Sequence, residues 1–309
     1  MKYKLGYIST KESYENLQDL IDESSFENIG YINPIDFKLT GTLNLEMAAN
    51  FANQVDAIVI VEGVEIDADL VAFLVKRSLH LLFLNRVKSV IDLTAELEHL
   101  LHESGTVLQI ENLERNKPVY TSLRQYLRKP KYCRLERWTT NHLNITEQLV
   151  DDIDMAVNCF QSGVANVDCH TGNIFNNNVD LINLKLSFQN GAIADIQLHA
   201  AGSEMKSEGL FVAENGYYQV DFSNHEIVEI VHANNDQLSL MDNAALQPRL
   251  AKFSKKILVF NPVKKAFHNF YENISHGFTP LVNIDDAKNI AHVLQKAQYI
   301  MQRNCVNWA

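Results

Sequence analysis

The sequence predicts an α/β, Rossmann-like domain over residues 1–117 and, over 118–309, an α+β domain built on one large, mostly antiparallel open sheet. Three observations carry this. The stretch from Asp56 to Arg86, DAIVIVEGVEIDADLVAFLVKRSLHLLFLNR, reads as strand, connector, helix and strand, a βαβ unit of roughly 30 residues. Similar strands and helices alternate through everything before residue 113. Beyond Asn116-Lys117-Pro118 the pattern changes to successive strand-like segments, two of them joined by Asn-Gly.

In chain order, Lys4 to Ile8 is a first strand, and Ser13 to Glu23 a helix with Leu17, Leu20 and Ile21 on one face. Asn28 to Ile32 is a second strand ending at Asn33-Pro34, and Leu45 to Phe51 a weaker helix. The run Asp56–Val61 is continuously apolar, as a parallel strand covered on both faces requires. Leu70, Val71, Leu74 and Val75 recur at helical spacing, and Leu79 to Leu84 is the next buried strand. A helix over 92–104 and a strand over 106–110 complete the first domain.

In the second domain, Val119 to Leu127 reads as a helix and Lys131 to Trp138 as a strand. Glu147 to Phe160 is a helix with Leu149, Val150, Ile153, Ala156, Val157 and Phe160 on its apolar face. Strands follow at 164–170, 179–188, 192–200, 209–214, 217–222 and 226–232, with turns at Asn190-Gly191 and Asn215-Gly216. Helices over 263–275 and 284–304 close the chain.

With 309 residues, 46% of them hydrophobic, the chain can bury a large core. A net charge of −11 argues against nucleic acid as a partner, because phosphate binding needs a clustered basic face. Basic residues do gather between Arg115 and Arg137, but prolines and apolar residues interrupt them, which fits a solvated face or interdomain ion pairs. The cysteines Cys133, Cys159, Cys169 and Cys305 lack metal-ligand or Cys-x-x-Cys spacing and fit free thiols in a reducing compartment. No signal-like or membrane-spanning apolar run is seen, so the expectation is a cytoplasmic protein without a membrane partner.

The βαβ stretch resembles the Gfo/Idh/MocA family of sugar and inositol oxidoreductases. Members read Asp-Ala-Val-Val-Ile-Ala-Thr-Pro, then a helix, then a strand ending in Glu-Lys-Pro. Here Glu62-Gly63 stand in for Thr-Pro and Leu84-Asn85-Arg86 for Glu-Lys-Pro. The likeness continues through DLINLKLSFQNGAIADI (180–196), FVAENGYYQVDF (211–222) and TPLVNIDDA (279–287), and so covers nearly the whole chain. It implies a homodimer or homotetramer assembled through the C-terminal sheet, and a sugar or nucleotide-sugar as ligand.

The resemblance also marks where chemistry belongs. The family holds its dinucleotide on Gly-x-Gly-x-x-Gly after the first strand, where glycines let the backbone approach the pyrophosphate at a helix N-terminus. Ser9, Lys11 and Tyr14 occupy the three glycine positions. Ser9-Thr10-Lys11-Glu12 reads instead as a capping box, with Ser9 at the N-cap and Glu12 three residues on. The alternative is that Lys11 holds an isolated phosphate there. Asn33 stands where an acid would grip the adenosine ribose, so the cofactor-binding positions, if any cofactor binds, are Ser9, Thr10, Lys11, Asn33 and Glu62.

Hydride transfer at a hydroxyl carbon needs a proton acceptor. The resemblance places that role at Asn85, where the family has lysine, and at Glu147 and Asp151, where it has Asp and His on one helix face. Two like charges at i,i+4 raise one pKa, so Glu147 and Asp151 can form a base; as plain helix-end acids they would complement the dipole. No metal site is expected, since His99 and His102 lack a third ligand, and alternation that puts Cys169 on the strand face opposite Asp168 and His170 argues against a Cys–His nucleophile pair. Two readings follow. One is a relative that keeps the fold, lacks the standard NAD(P)-dependent dehydrogenase activity, and binds a sugar-type ligand or a partner. The other is an active NAD(P)-dependent oxidoreductase with an atypical site.

Overall fold

The computed structural model describes residues 2–33, 38–39, 42–43, 45–61, 68–84, 95–140, 145–173, 179–200, 204–232, 250–258, 260–280 and 284–306. The chain forms two compact units. The first comprises Met1–Asn116 and Asn261–Ala291, the second Lys117–Phe260 and His292–Ala309. The segment 261–291, which the sequence pattern assigns to the sheet domain, thus belongs with the first unit.

Five parallel strands form the first unit's sheet: β1 (Tyr3–Ile8), β2 (Phe26–Ile32), β5 (Ala57–Val61), β6 (His80–Leu84) and β7 (Leu108–Ile110). A two-stranded ribbon, β3 (Lys38–Leu39) and β4 (Thr42–Leu43), lies between β2 and β5 in sequence. The strand order is β2-β1-β5-β6-β7. Chain direction across the sheet therefore reverses between β1 and β5, and in doubly wound sheets ligands sit outside the carboxyl ends of the strands at that point. Every residue of β5 is buried, as its unbroken apolar run predicts.

Helices α1 (Lys11–Gln18), α2 (Leu45–Ala52), α3 (Ala68–Val75), α4 (Ala95–Ser104) and α5 (Leu113–Asn116) connect or follow these strands. Gly6 is needed on β1 because α2 comes close: a Cβ there would lie 2.5 Å from Phe51 Cζ and 2.9 Å from Val55 Cγ1. The returning helix α8 (Pro262–His276) supplies Ala266, Phe267 and Phe270 to the same core as Leu5, Tyr7, Phe26, Val59 and Leu82. Asn261 caps it by accepting from Val263 N, and Gly277, at φ 65°, ends it in a left-handed turn. A buried amide chain fastens α8 to the end of β7. Asn273 Nδ2 donates to Gln109 Oε1 at 2.7 Å, Gln109 Nε2 donates to Glu111, and Asn116 Nδ2 donates to Glu111 Oε2 at 2.6 Å.

The second unit is built on an eight-stranded sheet: β8 (Tyr132–Trp138), β9 (Val164–Gly172), β10 (Leu181–Phe188), β11 (Ile193–His199), β12 (Lys206–Ala213), β13 (Gly216–Asp221), β14 (Glu226–His232) and β15 (Leu250–Lys256). Its order is β15-β14-β13-β12-β8-β11-β10-β9, antiparallel except for the parallel pair β8–β11. The two Asn-Gly turns join β10 to β11 and β12 to β13, as predicted. β15 was not visible as a strand in the sequence, where three lysines in seven residues disguise it. Helices α6 (Pro118–Tyr126) and α7 (Ile145–Phe160) belong to this unit, and α9 (Ile284–Val306) closes the chain.

Alternation is clear at the centre of the sheet. On β8 Cys133 and Leu135 are buried while Arg134 is exposed, and on β11 Ala194, Ile196 and Leu198 are buried. α7 packs against β11, and its residues 149–157 are all buried. From α6, Tyr120 Oη donates to Asn158 Oδ1 at 2.7 Å and Arg124 Nη1 to Cys159 O at 2.9 Å.

Candidate functional site

The carboxyl end of β1 is the place to build from, since it borders the reversal in strand order. Ser9 continues the strand: its N–H donates to Ile32 O at 3.1 Å and its side chain is fully buried. That moves the N-cap one residue on from the Ser9 of the capping-box reading, and α1 covers 11–18 where the sequence pattern places a helix over 13–23. The N-cap is Thr10, in extended backbone, and its hydroxyl accepts from Ser13 N at 3.3 Å. Ser9 therefore does not cap the helix, and Glu12 sits in the first turn without closing a capping box. The motif Ser-x-x-Glu matched, but sheet pairing claimed Ser9 first.

Lys11 lies on the exposed side of α1, where its ammonium pairs with Glu15 at 3.7 Å, one turn on. A solvated i,i+4 pair of this kind contributes about 0.3–0.5 kcal/mol. Tyr14, at the third glycine position, turns inward. Its ring meets Tyr7 edge-on at 5.3 Å and stacks on Tyr31 at 4.8 Å. Tyr7 is fully buried, and burial, followed by the nearby Tyr14 phenol, pushes its hydroxyl well above the ordinary tyrosine range. Neither Tyr7 Oη nor Ser9 Oγ has a hydrogen-bond partner. The turn thus offers a ligand no glycine at the three motif positions and a helix end whose third N–H is already taken by Thr10. Asn33, at the end of β2, is half-buried and engaged within the chain. Glu62 and Asn85 lie outside the described residues.

The second set of predicted positions is on α7. Glu147 is in the helix, but its side chain is outside what the structure describes. Asp151, Asp152 and Asp154 are all buried, at 4%, 2% and 0% exposure. Asp152 takes a bidentate pair from Arg137 on β8, with Nε to Oδ2 at 3.1 Å and Nη2 to Oδ1 at 2.7 Å. Arg137 shares the inward face of β8 with Cys133 and Leu135, which is why it meets α7. Asp151 and Asp154 are each engaged by groups of the chain.

The remaining candidates are placed as structural groups. Cys169 is buried and Asp168 and His170 are exposed, on opposite strand faces as the alternation requires. Burial lifts the Cys159 and Cys169 thiols to about 12 and raises Cys133 well above the ordinary thiol range, which keeps them protonated. His99 is exposed and pairs with Glu103 at 3.4 Å. Among the described residues no group of three or more His, Cys, Asp or Glu could hold a metal, and no helix is long and apolar enough to cross a membrane. The basic run splits up: Arg115 pairs with Asp286 at 3.6 Å, Lys129 with Glu214 at 3.4 Å and Arg137 with Asp152. Sequence reasoning missed a hollow of about 290 Å³ on the open face of the large sheet, lined by Arg134, Glu136, Glu208, Gln219, Asp221 and Glu226. Its signal was the charged outward set on successive strands.

No family model matches the sequence, and no curated protein matches it either. Solved structures do match. UDP-N-acetylglucosamine 3-dehydrogenase GnnA from Acidithiobacillus ferrooxidans superposes with a TM-score of 0.78 at 13% identity, over 99% of each chain. The dehydrogenase MviM from Clostridium difficile gives 0.71 at 13% identity, over 96% of this chain and 99% of that one. A putative myo-inositol dehydrogenase from Sinorhizobium meliloti 1021 gives 0.67 at 9%, over 99% and 98%. Likeness at these identities is a likeness of backbone, and on that basis the chain has the two-domain fold of the Gfo/Idh/MocA-type dehydrogenases.

Proposed function

We propose that this protein keeps a sugar-dehydrogenase scaffold without its standard NAD(P)-dependent activity, and uses it to bind a sugar-type ligand or a partner. The observation that carries the reading is the β1–α1 turn. A diphosphate on Gly-x-Gly-x-x-Gly needs backbone N–H groups laid open by glycine. Here Ser9 is buried in the strand, Thr10 caps the helix, and Tyr14 packs between Tyr7 and Tyr31. These residues do not fit a dinucleotide held in that manner. The change of lysine to Asn85 points the same way, because an amide has no proton chemistry near neutral pH. With Asp151 buried and engaged, the helix offers no exposed carboxylate at that position to act as base.

The sugar class rests on the neighbours, whose names include a UDP-N-acetylglucosamine dehydrogenase and a putative myo-inositol dehydrogenase. The partner we favour is a second copy of this chain, in a homodimer or homotetramer through the open face of the eight-stranded sheet. On that face Arg134 stands among Glu136, Glu208, Asp221 and Glu226, so in a two-fold contact the Arg134 of each copy has carboxylates of the other to meet.

The test is a titration of the purified protein with NADH and with NADPH, read by nicotinamide fluorescence, beside a thermal shift with UDP-N-acetylglucosamine and myo-inositol. The expected result is no nucleotide response up to millimolar concentration and stabilisation by one of the sugar ligands. Micromolar binding of either nucleotide overturns the reading.

A further inference from the structure

The two large sheets end in four edge strands, and three of them are blunted. An exposed edge is a template for strand addition, which proteins suppress with lysines, bulges or short strands. β15 carries Lys252, Lys255 and Lys256. β2 is kinked where its register with β1 shifts at Leu5/Gly6, with Gly30 at φ 130°. β7 is only three residues long. β9 has none of these devices over most of its length. It runs for nine residues without proline, lysine or arginine, and its register with β10 is unbroken from Asn166 to Gly172. Among the described residues no strand pairs with its outer side.

We propose that β9 is an assembly edge, and that its occupant is β9 of a second copy, added antiparallel about a two-fold axis perpendicular to the sheet and midway between the two copies of Cys169. The sequence around that point is self-complementary. Antiparallel pairing centred on Cys169 sets Asp168 opposite the second copy's His170, and His170 opposite its Asp168. Val167 then faces Thr171 in the same way. Directly opposed side chains in such a pair stand about 4.5–5.5 Å apart, close enough for each carboxylate to meet an imidazole. Asp168 and His170 are 55% and 74% exposed, and the 3.5 Å approach they make within the strand is exchanged for the same contact across the axis. A two-fold axis of this kind keeps like faces together: Val167 and Cys169 stay on the buried side, and the open faces become continuous. The result is one sheet of sixteen strands, twice the eight in one chain. The inference is independent of the ligand proposed above and of any contact through the sheet's open face.

Sedimentation equilibrium of the full chain tests it, with two variants. Asp168→Lys sets lysine against the second copy's histidine, whereas the exchange Asp168→His with His170→Asp restores both opposed pairs. Both sites are exposed, so the fold, followed by circular dichroism, is expected to be unchanged. The wild type and the double exchange should have twice the mass of Asp168→Lys, and amide exchange across 164–172 should slow with protein concentration only in the first two. Equal masses for all three proteins, a double exchange that behaves as Asp168→Lys, or a mass change without protection of 164–172 each overturn the proposal.

Discussion

Tyr14 shows how much a single side chain decides. Replacing Ser9 and Lys11 together by glycine restores two of the three motif glycines, yet the ring of Tyr14 still lies between Tyr7 and Tyr31. The double variant is therefore expected to bind NADH and NADPH no better than the wild type, measured by the same fluorescence titration. Thr10→Ala removes the real cap and should lower stability by about 1 kcal/mol in urea unfolding, whereas Glu12→Ala should cost much less. That difference separates the observed cap from the Ser-x-x-Glu box legible in the sequence. Local motif matching finds a helix start; only the hydrogen bond from Ser9 N to Ile32 O shows that Ser9 is held by the sheet and not by the cap. Asp152 teaches a similar lesson. Its place on α7 was readable, but its use in a buried ion pair with Arg137 needs the register of β8 against that helix. Asp152→Asn should destabilise the fold in urea unfolding, by up to about 3 kcal/mol, because the guanidinium of Arg137 loses its bidentate carboxylate.

At the scale of elements, β6 carries a built-in pH response. His80 opens the strand, and its Nδ1 accepts from Val107 N at 3.1 Å, which only a neutral or suitably deprotonated ring can do. Burial lowers its pKa, against the attraction of Asp56, which acts the other way. The folded state consequently binds fewer protons than the unfolded chain, where histidine titrates near about 6.5. The contribution of this residue is complete above that value and is lost as pH falls through it toward the lower folded pKa. The urea midpoint of the wild type should drop between pH 7 and pH 5 by more than that of His80→Gln. The strands and helices themselves were largely legible, because β5 is unbroken apolar sequence and β10 and β11 alternate cleanly. β15 was hidden for the physical reason that makes it a tolerable edge: its lysines.

For the whole molecule, the first compact unit is discontinuous in sequence, taking 261–291 together with 1–116. Nothing in the pattern of 261–291 says which sheet it covers; only tertiary contact puts Phe267 and Phe270 beside Leu5 and Phe26. A fragment ending at residue 117 lacks that layer and should fail to show cooperative unfolding, although it contains every strand of the five-stranded sheet. Phe270→Ala in the full chain should cost about 3–5 kcal/mol, as expected for a fully buried aromatic. The same division between scaffold and site runs through the account. The backbone matches dehydrogenase structures over 96–99% of the chain, while the β1–α1 turn is packed with side chains. A crystal structure of the protein grown with millimolar NADPH examines that turn directly. The account predicts Tyr14 still stacked on Tyr31 with no dinucleotide over the N-terminus of α1; a pyrophosphate seated there, with Tyr14 swung away, would contradict it.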